Sequence, residues 1–325
     1  MHQNKKISQR TFITCIVIIA VIIVGLVIAM FFESRGSISD YDYTKEDIVY
    51  YNDEEYLPKG NLYTMLIAGT DNTGKVVEKE YNNAGQCDFI ALLIMDRSSK
   101  TYKVLEISRD TMTNIPVLGP QGDKTDTIYA QIALSHAYGD GLKLSCKNVK
   151  NAVSDYLYGV EIDDYMVFNI DAIGLINDAV GGVEVTLDED FTEYDETMKK
   201  GTTLTLTGEQ AIIYTRQRKE VSNSTNEYRM SRQENYIKGL IPLAKAAMNE
   251  NNQIALDIFE MLEDYMVTSM NKSQFGGLAN KMYSYENQGF VTIAGESVKG
   301  EEFIEFYPDE NDLKAKVIDL FYKKR

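Results

Sequence analysis

The sequence is poor in cysteine and in positive charge. It holds three cysteines among 325 residues, and Cys15 lies inside the longest apolar run. Only Cys87 and Cys146 remain, so a disulfide framework is excluded and these two are either small buried residues or one isolated bridge. Lysine and arginine number 33 against 49 acidic residues, which gives a formal net charge of -16. Such a charge repels nucleic acid and argues against a nucleic acid partner.

One long apolar run is present near the start of the chain. Residues 11–32 contain no charged side chain, and about 20 apolar residues suffice to cross a bilayer core. Lys5, Lys6 and Arg10 precede the run, so the positive-inside rule predicts that residues 1–10 are a cytoplasmic tail. The run is then a single transmembrane helix of the plasma membrane, with the rest of the chain outside. A cleaved signal peptide is the alternative, but its apolar core would be shorter, about 7–15 residues, and would end in small residues.

The remainder of the chain alternates between strand-like and helix-like segments. Residues 33–60 are acidic, rich in tyrosine and without helical periodicity, and they are predicted to be an extracellular linker. Asp171 is the expected N-cap of one helix, and Thr207 with Gln210 predicts a capping box on another. Strands interleaved with helices predict an α/β fold with a sheet between helical layers. The predicted strands are 62–69, 89–96, 102–108, 164–170 and 183–187, and the predicted helices are 129–139, 146–159, 171–182, the segment after Thr207, and roughly 228–248.

Three arginine-bearing segments stand out from the acidic background. They are ISRD around Arg109, YTRQRK around Arg216 and Arg218, and YRMSRQ around Arg229 and Arg232. Arginines that are far apart in an acidic sequence favour a fold that gathers guanidinium groups around a phosphorylated ligand. Taken singly, Arg109 is explained equally well by a surface ion pair with Asp110, and Arg229 and Arg232 are better explained as a solvated helix face.

Two aspartates upstream complete this pattern. Asp71 in LIAGTD and Asp88 in GQCDF each lie at the edge of an apolar run. Carboxylate oxygens beside arginines are what a magnesium-bound pyrophosphate needs. An aspartate after a strand is also a common turn former, so it is the joint occurrence with the arginines that favours a phosphate site.

The order of these motifs resembles the LytR-CpsA-Psr family of cell-envelope enzymes. The resemblance runs from Asn61 to Ala246 and implies a mixed central β-sheet flanked by helices, with a long apolar lipid pocket, over residues 61–250. Residues 251–325 then either extend the same α/β domain or form a small appended lobe. The motifs that carry the resemblance are GTD, CDF, SRDT, AYGDG, DYMVFN, DAVGGVEV, LTGEQAIIYTRQRK and YRMSRQ.

The resemblance also implies a function. Family members are thought to be membrane-anchored, magnesium-dependent phosphotransferases that move a glycopolymer from a polyprenyl-pyrophosphate carrier to a peptidoglycan hydroxyl, with wall teichoic acid and capsular polysaccharide as typical cargo. Hydrolysis of the pyrophosphate is a second outcome. The alternative is a non-catalytic anchored receptor for lipid-linked or anionic envelope polymers. Retention of both Asp71 and Asp88 favours the enzyme, because a receptor needs no metal pair.

Site residues follow from the resemblance position by position. Asp71 and Asp88 match the family's Mg²⁺ ligands, and together with Arg109 they form the implied catalytic set. One departure lies near the second aspartate motif, where the family often has an arginine and this chain has Gln86. The implied substrate-binding residues are Arg109, Arg216, Arg218, Arg229, Arg232 and Gln233.

Overall fold

The structure, a computed structural model, describes residues 48–217, 226–251, 253–301 and 303–325. The predicted cytoplasmic tail, the predicted transmembrane helix at 11–32, the first part of the linker and Arg218 lie outside the described residues. Within the described ranges, no helix is both long and apolar enough to cross a membrane.

Strands and helices alternate along most of the described chain, as the pattern predicts. The described residues form fifteen strands: β1 Val49–Tyr51, β2 Glu54–Pro58, β3 Leu62–Thr70, β4 Cys87–Asp96, β5 Thr101–Glu106, β6 Met112–Leu118, β7 Lys124–Gln131, β8 Asp164–Phe168, β9 Glu184–Thr186, β10 Thr203–Thr205, β11 Met266–Thr268, β12 Glu286–Thr292, β13 Gly295–Lys299, β14 Ile304–Pro308 and β15 Tyr322–Lys324. They also form seven α-helices: α1 Lys143–Tyr156, α2 Asp171–Ala179, α3 Gly208–Arg216, α4 Asn226–Glu250, α5 Ile254–Leu262, α6 Lys272–Ser284 and α7 Glu310–Phe321. Two short 3-10 helices cover Ile132–His136 and Glu263–Tyr265.

A six-stranded sheet forms the centre of the fold, in the order β11-β8-β3-β4-β5-β12. β8 runs parallel to β3 and β12 runs parallel to β5, whereas the other neighbours are antiparallel. The prediction of a mixed central sheet flanked by helices is therefore confirmed. Its middle strands were the easiest to predict from the sequence, because strands buried on both faces show near-continuous apolar runs.

Both faces of the sheet are covered by helices. On one face, Leu66, Leu92 and Leu105 pack against α1 and α7. On the other face, Met65 and Leu93 pack against α5 and α6. Each face thus buries its own apolar cluster, and the sheet ends carry the loops and polar side chains.

A third apolar cluster links α3 and α4 to the small β9-β10 ribbon. The predicted capping box at the start of α3 is confirmed: the Gln210 amide donates to Thr207 Oγ1 at 3.3 Å, and the Thr207 amide donates to Gln210 Oε1 at 3.1 Å. This cap fixes the start of α3, and the helix ends at Arg216.

Two local predictions are wrong. The helix predicted over 129–139 is instead the end of β7 followed by the 3-10 helix, because β7 pairs along its length with β6. Asp171 is not an N-cap. It lies in the first turn of α2 after Ile170, and its Oδ2 accepts from the Gly74 amide at 2.7 Å. Pairing with a distant segment decided both outcomes.

The C-terminal residues are built into the central sheet. β11 and β12 form its two edge strands, so residues 251–325 contribute to the same sheet as β3 and β4. β15 pairs with β2, which joins part of the predicted linker to the end of the described chain through the register Pro58↔Tyr322.

Candidate functional site

The two aspartates singled out by the sequence lie at the same end of the central sheet. β3 and β4 are antiparallel, and Thr70 pairs with Cys87 while Gly69 pairs with Phe89. The register shift between these two pairs falls at Asp88. Asp71, one residue past the end of β3, therefore lies on the same edge as the start of β4, where Asp88 projects from the bulge.

Arg109 and Arg229 meet at the Asp88 carboxylate. Arg109 Nη1 contacts Asp88 Oδ1, and Arg229 Nη1 lies 3.6 Å from Asp88 Oδ2. Arg229 Nη2 also donates to the Asp88 backbone carbonyl at 2.9 Å. The Arg229 side chain is only 2% exposed, so its charge depends on such partners rather than on water. Each guanidinium carries five N–H donors, which allows it to hold Asp88 and a ligand oxygen together.

Arg109 is oriented by two further polar side chains. Its Nε lies 3.3 Å from Asp110 Oδ1, and its Nη2 donates to Gln86 Oε1. Asp110 is buried and also accepts from Gln131 Nε2 at 3.0 Å. Gln86, the departure from the family pattern, thus accepts a hydrogen bond from Arg109.

The loop before Asp88 is held against Asp71. The backbone amide of Gln86 donates to Asp71 Oδ1 at 3.2 Å. Nδ1 of the buried His136 lies 3.2 Å from the Gly85 carbonyl oxygen. Gly85 has φ +81, and a Cβ there would lie 2.9 Å from Asp71 Oδ1. Burial lowers the pKa of His136, so the ring is neutral at pH 7.

The carboxylates at this edge are of the type that holds a magnesium ion shared with a phosphate. No group of three or more His, Cys, Asp or Glu side chains suited to a metal occurs among the described residues. Magnesium in proteins is commonly held by one or two carboxylates together with substrate phosphates and water. Asp71 and Asp88 provide this kind of incomplete ligand set.

The other predicted substrate-binding residues are not all brought to Asp88. Arg216 is exposed in the last turn of α3, and Arg218 lies outside the described residues. Arg232 is buried, with Nη1 3.4 Å from Glu189 Oε2 and its guanidinium 5.1 Å from the Phe191 ring centroid. Arg232 Nη2 also donates to the Gln217 carbonyl just past α3, so the contacts of Arg232 lie with that residue and with the segment after β9, and not with Asp88.

An apolar cavity of about 180 Å³ opens beside the two aspartates. Gly69 and Thr70 precede Asp71 and line it. Gln233 lies at its edge and donates from Nε2 to the Thr215 carbonyl at 3.1 Å. Its apolar walls come from both the sheet and the helices, and include Ile67, Phe89, Phe168, Ile173, Ile176 and Ile237.

One buried acid near the site was missed by sequence reasoning. Glu106, the last residue of β5, is 3% exposed. A single acidic residue inside the apolar run YKVLEIS was the signal that could have identified it.

The fold and this site define a class of α/β protein in which arginines and carboxylates meet at one end of a mixed sheet, beside an apolar cavity. The sequence profile of the LytR-CpsA-Psr family (LytR_cpsA_psr) matches residues 27–316. The chain belongs to this family, as the order of its motifs predicts.

Named relatives agree with this assignment. The chain is 28% identical over 270 residues to the polyisoprenyl-teichoic acid–peptidoglycan teichoic acid transferase TagU of Bacillus anthracis, covering 81% of this chain and 80% of the relative. The fold is similar to that of B. subtilis TagV, with a TM-score of 0.59 and 22% identity over 81% of this chain and 96% of TagV. It is also similar to TagT bound to LIIa-WTA, with a TM-score of 0.61 and 20% identity over 87% of this chain and 97% of TagT.

Proposed function

We propose that this protein transfers an anionic glycopolymer from a polyprenyl-pyrophosphate carrier to a hydroxyl of peptidoglycan. The observation that carries the proposal is the convergence of Arg109 and Arg229 on Asp88 beside the apolar cavity. The name of the Bacillus anthracis relative supports a teichoic acid as the class of polymer. An amphiphile with a phosphorylated head group and an isoprenoid tail matches these two neighbouring environments.

The arginines bind the phosphates in this proposal. Arg109 and Arg229 donate to non-bridging oxygens, and the fork geometry of guanidinium suits such bidentate contacts. Because both arginines are largely buried, their hydrogen bonds to phosphate are stronger than they would be in water. Arg216, exposed in the last turn of α3, would also bind the head group in this proposal.

Asp71 and Asp88 would hold Mg²⁺. When bound there, the ion neutralises phosphate charge and makes polyprenyl phosphate a better leaving group. Neighbouring residues already orient both carboxylates. The backbone amide of Gln86 donates to Asp71 Oδ1, and the Arg109 guanidinium contacts Asp88 Oδ1.

The transfer itself exchanges a phosphoanhydride bond for a phosphoester bond. The acceptor oxygen forms a bond to phosphorus, the bond from that phosphorus to the polyprenyl phosphate oxygen breaks, and polyprenyl phosphate departs. The proton of the acceptor hydroxyl goes to a carboxylate that the metal does not fully use, Asp71 or Asp88. When water takes the place of the acceptor, the same site hydrolyses the pyrophosphate.

The proposed reaction takes place at the outer face of the plasma membrane. Residues 11–32 serve as a single-pass anchor with the N-terminus in the cytoplasm, which keeps the site close to its lipid substrate. Protease added to intact cells is expected to remove residues after the anchor and leave a short membrane-bound stub. Survival of the full-length protein until the cells are lysed would contradict this placement.

A reconstituted assay tests the activity. The full chain is incubated with a lipid-linked pyrophosphate glycan, a soluble peptidoglycan oligomer and Mg²⁺, with and without chelator. We expect covalent polymer–peptidoglycan product with Mg²⁺ and none with chelator. Donor binding without any product would favour the receptor alternative, and failure of the wild type to bind donor would exclude both functions.

Arginine variants test the site. Arg229→Ala is expected to weaken donor binding about ten- to a hundredfold, since a charge-assisted hydrogen bond contributes roughly 1.5–3 kcal/mol and 1.4 kcal/mol is tenfold. Arg97→Ala is the matched control. Arg97 stacks over the Tyr63 ring, 5.6 Å from its centroid, at the opposite end of the sheet. Equal losses in the two variants would show that Arg229 acts through general charge and not through the site.

A further inference from the structure

A second cavity of about 250 Å³ lies beside the arginine cluster. It is bounded by the ends of β5 and β12, by β14 and by the first turns of α4. Ser231 is exposed on α4 and Glu234 is half-buried, so the cavity opens to solvent along that helix. Its apolar wall includes Ile107, Ile293 and Phe306.

Three buried polar side chains in its wall have no hydrogen-bond partner within the described parts of the chain. They are Glu106 Oε1, Thr111 Oγ1 and the Tyr156 hydroxyl. The residues are 3%, 0% and 6% exposed, respectively. A buried polar group without a partner is costly, and folded proteins keep few of them. Three such groups in the wall of one cavity indicate a space that is completed by a polar ligand.

The cavity adjoins the phosphate site directly. Arg109 contacts Asp88, and the residue before it, Ser108, lines the cavity. Arg229 also contacts Asp88, and the two residues after it, Met230 and Ser231, line the cavity. A ligand in the cavity would therefore present its atoms next to phosphates that are bound by the arginines.

We propose that this cavity is the acceptor subsite, and that it binds the uncharged sugar ring whose hydroxyl attacks the phosphorus. The inference rests on the proposed transferase function and specifies where its second substrate binds. It concerns binding and positioning, and adds no chemical step to the transfer.

The chemistry of the wall favours a neutral, hydroxyl-rich ligand. The described residues that line the cavity include no lysine or arginine, and the Glu234 carboxylate would repel a phosphate, so the cavity does not suit the anionic donor. Hydroxyl groups both donate and accept, and can therefore satisfy a carboxyl, a threonine and a tyrosine together. The volume is slightly below the roughly 300 Å³ at which small-molecule pockets usually begin, which fits one sugar ring rather than a polymer segment.

The state of Glu106 agrees with this assignment. Burial and, to a smaller extent, nearby Glu234 raise its pKa to about 8, while Arg229 opposes the shift. At pH 7 the carboxyl is therefore largely neutral, and it can donate one hydrogen bond and accept another. A neutral carboxyl beside a sugar avoids the cost of a buried, unpaired charge.

Two variants test the subsite. Glu106→Met keeps the length of the side chain but removes both carboxyl oxygens, and Ser231→Phe places a ring at the exposed mouth of the cavity. Glu286→Met is the matched control, because Glu286 is exposed on the neighbouring β12 at the far end of its pairing with β5. Each full-length protein is titrated separately with a soluble peptidoglycan oligomer and with the lipid-linked donor.

We expect Ser231→Phe and Glu106→Met to weaken oligomer binding by about tenfold or more, with donor binding within twofold of wild type and no effect in Glu286→Met. Thermal unfolding of each variant confirms that it is folded. Unchanged oligomer affinity in Ser231→Phe and Glu106→Met, or an equal loss of donor affinity, would overturn the proposal. Hydrogen exchange gives a second test. The proposal would also be overturned if the wild type binds donor and forms product but the oligomer protects none of the cavity residues from exchange at any concentration. Failure of the wild type to bind donor would instead contradict the transferase function, whereas oligomer binding that both variants weaken would still support the cavity as the site that binds the sugar.

Discussion

Replacing Asp88 with alanine is expected to destabilise the fold as well as remove a proposed metal ligand. The Asp88 carboxylate faces Arg109 and Arg229, whose side chains are 10% and 2% exposed. Alanine leaves both guanidinium groups without this partner, and they cannot turn to water without disturbing the sheet edge. The perturbation therefore measures how strongly the site is held together before any ligand binds.

The magnitude follows from burial. Removing one partner of a buried ion pair costs about 3–5 kcal/mol, whereas an exposed pair contributes about 0–1 kcal/mol. The Asp88 side chain is 23% exposed, which places this cluster between the two limits. We expect the free energy of unfolding to fall by roughly 2–3 kcal/mol. Asp319→Ala, which removes the partner of Lys103 from an exposed pair, is expected to change it by less than about 1 kcal/mol.

Urea denaturation of the full chain, followed by circular dichroism, measures both differences. Inorganic pyrophosphate is a second probe, because its oxygens can replace the missing carboxylate. It should raise the urea midpoint of Asp88→Ala more than that of the wild type. A variant within about 0.5 kcal/mol of wild type, or one that pyrophosphate does not stabilise, would refute the view that the Asp88 carboxylate stabilises the two buried arginines.

Three further predictions concern separate features. Burial raises the pKa of Glu106 to about 8, so the folded state keeps a proton that the unfolded chain loses near pH 4.5. The stability of the wild type should therefore fall relative to that of Glu106→Gln as the pH rises from about 5 to 8. Urea midpoints of the two proteins that run parallel across this range would contradict this prediction. Thr207→Ala removes the cap of α3 and should cost about 1 kcal/mol in the same denaturation assay, with Thr203→Ala on the exposed face of β10 as control. Ile237→Trp should fill the apolar cavity and weaken donor binding about tenfold in a direct titration, while peptidoglycan binding stays unchanged; equal loss of both would assign the cavity to another role.

The central sheet could be predicted from the sequence because its middle strands are buried on both sides. The runs at 62–69 and 89–96 are apolar almost throughout. A near-continuous apolar run of this short length is typical of a strand that is buried on both faces of a sheet. The segment 129–139 was wrongly predicted to be a helix because Ile132 and His136 lie at helical spacing. Its pairing with β6 depends on a partner strand that periodicity alone does not identify.

The candidate site was predictable in its residue types and only partly in its geometry. Motif order placed Asp88, Arg109 and Arg229 in one site, and the structure brings these three together. Arg232 follows Arg229 by three positions, yet it pairs with Glu189, because its direction depends on how α4 packs on the β9-β10 ribbon. Glu106 carried no motif at all; its burial arises only when β5 lies between β4 and β12.

The pairing of β2 with β15 has a consequence for how the chain folds. Lys324 Nζ and Glu54 Oε1 are in contact although 270 positions separate them, and β1 depends on β2 for its own pairing. Contacts across so long a stretch of chain close large loops, which slows folding and delays them until local structure has formed. We therefore expect this three-stranded sheet to acquire protection from hydrogen exchange late in refolding, after β3 and β4 of the central sheet.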